Sequence, residues 1–219
     1  MIFTIASLIL FNEACQVISG NNGYFISRDG NNVKAAFGDV PLWFEKKEDA
    51  QRYMELGDDN LKVTTALHSL VSNIVYQTNE MIRLDEAGIL QLIKSDSLFY
   101  RYAGPEVVDQ MRFYGPLRTY LESMGVAWVD LGVVTGYTEQ SIMPIKKAID
   151  ALSLMQKAKV YYLIINLNDM FIANLAYVSN AINEKEYLQA CAYCLNMSAR
   201  SNSKGYKFVA EIIEPLMQF

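Results

Sequence analysis

The sequence predicts an α+β chain in which a small N-terminal β-hairpin or ββα unit precedes a predominantly helical domain. Two observations carry this reading. The turn dipeptides Asn22-Gly23 and Asp29-Gly30 bracket the alternating run Tyr24-Phe25-Ile26-Ser27, and both tolerate the positive φ that tight hairpin turns demand. From residue 58 onward the spacing of apolar residues changes from two to about 3.6, the helical period. The expected division is therefore a β-rich module over 1–57 and a mainly helical domain over 58–219. The change of period is its boundary signal, because no stretch is rich enough in Gly, Ser or Pro to act as a linker.

The opening MIFTIASLILF reads as a buried strand or short helix of the core. It lacks a basic leader and an Ala-x-Ala cleavage site, and its eleven residues fall short of the roughly 20 that span a bilayer. No transmembrane segment is expected elsewhere. Pro41-Leu42-Trp43-Phe44 is a short strand, with Trp43 and Phe44 as the core of the module, and Lys46 to Leu56 an amphipathic helix closed by Gly57. Val63, Leu67, Leu70, Val71, Ile74, Val75 and Met81 fall three or four apart, which predicts a long helix starting near Asp58 or Asp59. Asp85 to Lys94 is a second, shorter helix.

After the break at Gly104-Pro105 the helical period resumes from Pro105 to Met124, with Val108, Met111, Tyr114, Leu117 and Leu121 on one face. Gly115-Pro116 should kink or divide that helix. Val160 to Leu167, β-branched and aromatic, is compatible with a buried strand, or it continues into the helix that follows. Phe171 to Ile182, Glu184 to Arg200 and Tyr206 to Met217 read as three terminal helices, the last two separated by a loop at Ser201 to Gly205.

Apolar residues make up 52% of the 219-residue chain and charged residues 20%, which excludes a disordered or low-complexity protein. The net charge of -5 argues against broad, nonspecific attraction to phosphate or to anionic membranes. Between Arg101 and Val160 seven Lys or Arg stand against six Asp or Glu, so this region is close to neutral and the acidity lies elsewhere. Cys15, Cys191 and Cys194 are an odd number and form no disulfide framework, which points to a reducing cytoplasm.

The segment Trp128 to Leu152, WVDLGVVTGYTEQSIMPIKKAIDAL, is the most informative stretch. A short apolar segment, a glycine-centred turn and a second amphipathic segment with paired lysines follow one another. Gly132 is small, Gly136 supplies a turn residue, Leu131 and Tyr137 flank it, and Ile142 and Ile145 sit three apart as buried helical positions would. With Thr138 as cap, Glu139, Gln140, Ser141 and Met143 point outward and Lys146 and Lys147 reach phosphate.

This pattern resembles the winged helix-turn-helix families of bacterial and phage regulators and replication proteins. The residues that carry the resemblance are Trp128, Leu131, Thr135-Gly136-Tyr137-Thr138, Ile142, Lys146-Lys147-Ala148-Ile149 and Leu152. It covers residues 107–167, with Val160 to Leu167 in the place of a wing strand. It implies double-stranded DNA as partner and Thr138, Gln140, Ser141, Met143, Lys146 and Lys147 as the DNA-facing set. Two features depart from it. Pro144 would be the sixth helical residue after a Thr138 cap but falls in the first turn if Ser141 is the cap, and Asp130 and Glu139 put negative charge near the phosphate face. The rival reading of the same stretch is strand, turn and helix, with Val126 to Val134 extended and Ser141 to Ala158 helical.

Other constellations have plainer explanations. His68, the single histidine, reads as a helix-face or core residue and supports no multi-histidine metal site or Ser-His-Asp arrangement. Cys191-x-x-Cys194 lies in an apolar helical run with Tyr187, Leu188 and Leu195, where cysteines act as small hydrophobes. The acidic pairs Asp58-Asp59, Asp85-Glu86 and Glu184/Glu186 fall where helices begin and complement the helix dipole. Gly20-x-x-Gly23 precedes no helix and is a turn, not a phosphate loop. No cofactor, metal site or enzyme signature is expected.

The function read from sequence is accordingly a non-enzymatic, cytoplasmic binding protein, most sharply a DNA-binding transcription or replication regulator. The alternative is an acidic protein-interaction factor, such as a phage-encoded modulator of a host protein complex; the phage element rests on a composition rich in Asn, Tyr and Met.

Overall fold

The computed structural model describes residues 15–20, 22–36, 39–55, 58–76, 84–99, 106–126, 129–130, 135–136, 142–167, 170–199, 211–213 and 216. The expected roles of 1–11, Met81 and the 201–205 loop, and most of the expected 206–217 helix, lie outside these residues. The chain is α+β, with a small antiparallel sheet and a mainly helical remainder. It forms two compact units, Met1–Asn79 and Glu80–Phe219.

In the first unit, β1 (Cys15–Gly20) and β2 (Gly23–Arg28) form a hairpin in the register Cys15↔Arg28 through Gly20↔Gly23. Asn22, with φ of 68°, supplies the left-handed residue at its tip. The next turn joins β2 to β3 (Asn31–Asn32) through Asp29 and Gly30, with φ of 51° and 79°. Two consecutive positive φ values are what a type I′ hairpin needs, and Asp-Gly adopts them at low cost. β4 (Trp43–Phe44) pairs with the other end of β2, Tyr24↔Phe44 and Phe25↔Trp43. Gly23 lies against Trp43 so closely that a Cβ there would stand 2.2 Å from the indole nitrogen.

Helix α1 (Lys47–Glu55) closes a core of Ile26, Ala35, Val40, Leu42, Phe44, Ala50 and Tyr53. Helix α2 (Asp58–Val75) belongs to this unit as well. Its Ser69 and Ser72 hydroxyls accept from the backbone N–H groups of Ala36 (2.8 Å) and Trp43 (2.9 Å). The change of period at residue 58 thus marks the start of a helix that packs on the β-module. His68 is buried beside Phe44 and Tyr53, with ring centroids 4.5 and 6.0 Å away. Its Nδ1 has no hydrogen-bond partner, and burial holds its pKa down at about 4 against a weaker opposing pull from Asp49.

The second unit is built round α7 (Phe171–Val178), of which every residue but Tyr177 is buried. It packs against α3 (Glu86–Ser95), α4 (Glu106–Ser123), α6 (Leu154–Asn166) and α8 (Glu184–Ala199), while α5 (Ile142–Asp150) lies on α3. A helix apolar on all sides must sit inside a bundle. Its one polar core residue, Asn174, donates to the Leu167 carbonyl (3.2 Å) and accepts from the Tyr187 hydroxyl (2.8 Å). Asp85 caps α3 by accepting from Gly88 N–H at 2.9 Å. Asp96, 2% exposed, accepts from the N–H of Leu98 (2.8 Å) and of Ile172 (2.7 Å), so a buried carboxylate holds the start of α7 to the end of α3.

α4 runs on through Pro116 and is not divided there. It ends in a Schellman turn in which Gly125 (φ 86°) lets Val126 N–H reach the Leu121 carbonyl at 3.0 Å. Tyr114, Leu117 and Leu121 form its buried stripe as expected, but Val108 and Met111 are 73% and 47% exposed. At roughly 100° per residue they fall off that stripe, and Gln110, 6% exposed, continues it instead. Cys191 and Cys194 are buried inside α8 and are not joined in a disulfide. No helix among the described residues is long and apolar enough to cross a membrane.

Candidate protein-binding cavity and the lysine face of α5

The helix-turn-helix expectation fails on local structure. β5 (Val129–Asp130) and β6 (Thr135–Gly136) pair antiparallel, Val129↔Gly136 and Asp130↔Thr135. Gly136 is thus in a hairpin strand and is not the hinge between two helices. Val160–Asn166, in the place of the wing strand, is part of helix α6. The proline explains the second half: α5 begins at Ile142, so Pro144 lies in its first turn, where a missing N–H costs nothing. Among the described residues this agrees with the strand-turn-helix alternative at Val129–Asp130, which is strand, and from Ile142 on, which is helical, except that Thr135–Gly136 is also strand and the helical stretch breaks at residues 151–153 into α5 and α6.

Of the six residues expected to face DNA, Thr138, Gln140 and Ser141 lie outside the described residues. Met143, Lys146 and Lys147 share α5, with Met143 48% exposed and Lys147 exposed. Lys146 is bound by its own helix: Nζ stands 2.5 Å from Asp150 Oδ2, one turn on. That hydrogen bond and the fields of Asp150 and Glu86 raise the Lys146 pKa. Carboxylates thus already answer this ammonium, the reverse of what a phosphate backbone requires.

A different feature of the second unit is concave. A cavity of about 450 Å³ opens where the first turns of α6 meet the C-terminal end of α7. α6 contributes Ser153, Met155, Gln156 and Lys159; α7 and its exit turn contribute Tyr177, Val178 and Asn180; Leu216 lies on the wall. Local sequence builds both rims. Ser153-x-x-Gln156 is a capping box, with Gln156 N–H donating to Ser153 Oγ (3.2 Å) and Ser153 N–H to Gln156 Oε1 (3.0 Å). The remaining amide hydrogens of Gln156 reach the Val178 carbonyl at 3.2 Å and tie the two helices together.

α7 ends in a second Schellman turn. Asn180 takes φ of 59°, so that Ala181 N–H reaches the Ala176 carbonyl at 2.8 Å. The Tyr177 ring is stacked on Tyr187 with centroids 4.5 Å apart, and burial, with a contribution from Glu184, raises its hydroxyl pKa. Lys159 is half-buried, and burial alone lowers its pKa. Among the described residues no carboxylate pairs with it. Sequence reasoning passed over Lys159, although the Ser153-x-x-Gln156 spacing marks a helix start and places Met155 and Lys159 one turn apart on the same face.

No protein-family model and no curated protein matches this sequence. Solved structures match the fold. Atp12 from Paracoccus denitrificans superposes with a TM-score of 0.65 at 14% identity, over 94% of this chain and 92% of that one. A point variant of the same protein gives 0.66 at 15% identity over the same shares. Atu1473 of Agrobacterium tumefaciens, provisionally described as a chaperone, gives 0.58 at 13% identity over 94% of this chain and 85% of that one. The fold shared almost end to end is therefore not that of a winged helix-turn-helix regulator. The DNA-binding, regulator and phage readings are withdrawn with it.

Proposed function

We propose that this chain is a chaperone-type binding protein that holds a polypeptide client during assembly of a protein complex, which is the protein-interaction alternative without its phage element. The observation that carries the reading is agreement of fold with Atp12 and with a chaperone-described protein over more than nine-tenths of this chain. Surface chemistry supports it. Val108 and Met111, three apart and exposed on α4, and Ile165, 51% exposed on α6, leave apolar side chains available to a partner. The cavity between α6 and α7 adds a concave site with polar and apolar walls. The net charge of -5 and the pairing of Lys146 with Asp150 on α5 disfavour nucleic acid.

The test is capture of a client from the source cells followed by its reconstitution. The captured protein, expressed alone, should aggregate, and co-expression with this chain should keep it soluble and release it into its complex. A client equally soluble without this chain, or no specific partner at all, refutes the reading.

A further inference from the structure

Lys159 is a cation from which water is partly withdrawn and which no described anion answers. Two lysines nearby in the sequence are engaged: Lys146 by the Asp150 carboxylate, and Lys157 by the Asp150 carbonyl at 3.4 Å. Partial burial of an ammonium without a compensating partner is unfavourable, so an incoming negative charge gains more here than at an open lysine.

The walls narrow the class of that anion. Among the described lining residues Lys159 is the one Lys or Arg, whereas phosphate recognition draws on several donors or a guanidinium fork. The field of Glu184 reaches Tyr177 on the opposite wall, which penalises a doubly charged ligand more than a single carboxylate. The Gln156 side chain is committed to the helix cap and to the Val178 carbonyl, while Ser153 Oγ accepts from Gln156 N–H. The described walls offer a ligand the ammonium, the Ser153 hydroxyl as a neutral donor, the apolar surface of Met155, Val178 and Leu216, and Asn180 at the rim. We propose that the α6–α7 cavity recognises an acidic, amphipathic peptide segment of the client, with Lys159 donating to an Asp or Glu carboxylate and the apolar wall receiving the aliphatic residues beside it. This rests on the client being a polypeptide, as argued above.

The experiment uses the full chain and a fluorescein-labelled helical peptide of Leu, Ala and Glu, beside a control with every Glu replaced by Gln. Fluorescence polarisation should show the Glu peptide bound about tenfold more tightly than the Gln peptide, a difference of roughly 1.4 kcal/mol. Lys159→Met should bring the two affinities together, Lys159→Arg should keep most of the preference, and neither should move the Tm by more than a degree or two. Equal preference in wild type and Lys159→Met overturns the proposal, as does failure of the wild type to bind the Glu peptide. Displacement of the peptide by millimolar inorganic phosphate, with loss of that competition in Lys159→Met, also overturns it in favour of a phosphate site. The client experiment separates the two claims. A client kept soluble equally well by Lys159→Met sinks the pocket assignment alone, whereas Lys159-dependent peptide binding without any client sinks the assembly role alone.

Discussion

His68 makes the first unit sensitive to acid, and the size of the effect follows from its surroundings. The ring is 9% exposed between Phe44 and Tyr53, its Nδ1 has no partner, and its pKa is about 4 against an ordinary value of 6.5. A depressed pKa means that between those two values the unfolded chain binds a proton that the folded chain refuses. Stability is therefore full above pH 6.5, falls as pH drops toward 4, and is flat below. Integrating the linkage relation gives a loss of about 2 kcal/mol between pH 7.5 and pH 5, and roughly 3 kcal/mol by pH 4. The nearby Asp49 carboxylate opposes the shift but does not cancel it. Urea unfolding followed by Trp43 emission, in a Trp128→Phe background, should show a midpoint lower by about 1 M at pH 5 than at pH 7.5, for a slope near 2 kcal/mol per molar. His68→Leu keeps the apolar packing, removes the unpaired nitrogen and should flatten the pH dependence over this range. An equal pH slope in wild type and His68→Leu, or a native-state titration of His68 by NMR at or above 6.5, refutes the argument.

Three further outcomes follow from the packing. Gly23→Ala drives a Cβ to within 2.2 Å of the Trp43 indole and 2.8 Å of the Phe44 carbonyl, so the hairpin must shift; a loss of about 1–3 kcal/mol should appear as a lower urea midpoint. Asp96→Ala strands the buried N–H groups of Leu98 and Ile172 and should cost about 2–4 kcal/mol by thermal unfolding, with Asp96→Asn intermediate because it keeps one acceptor. Ser153→Ala removes half of the α6 capping box and should cost about 1 kcal/mol, together with measurably faster amide exchange in the first turn of α6.

The expectations that held are those set by neighbours along the chain. Asp29-Gly30 turns because two adjacent residues accept positive φ. Asp85 caps α3 three residues from the amide that it binds. α2 starts at Asp58, where the apolar period changes. The failures came where local evidence was evenly balanced. Val160 to Leu167, β-branched and aromatic and open between strand and helix, is helical as far as Asn166 because Val160, Tyr161, Leu163 and Ile164 are buried in a bundle and the Ser153 cap starts the helix ahead of them. Gly136 could serve a helical hinge or a hairpin equally well, and pairing with Val129 decided for the hairpin. Pro144 was the readable warning, since it fits only a helix that starts after Ser141. Within the candidate site, the reading of Ser141 to Ala158 as one helix passed over the capping box at Ser153, whose spacing signals a helix start, and spacing carries no sign of the isolation of Lys159.

Sequence alone therefore determined the class of the chain, its turns and most helix starts. Tertiary structure decided which charges are answered and which polar groups are satisfied. Lys146 and Lys159 look alike as letters, but one faces Asp150 on its own helix and the other faces a cavity. Ser69, Ser72 and Asp96 serve backbone amides far along the chain, 33, 29 and 76 residues away. The physical reason is that burial and electrostatic partnership depend on distance in space, and for those residues the distance along the chain carries no information about it.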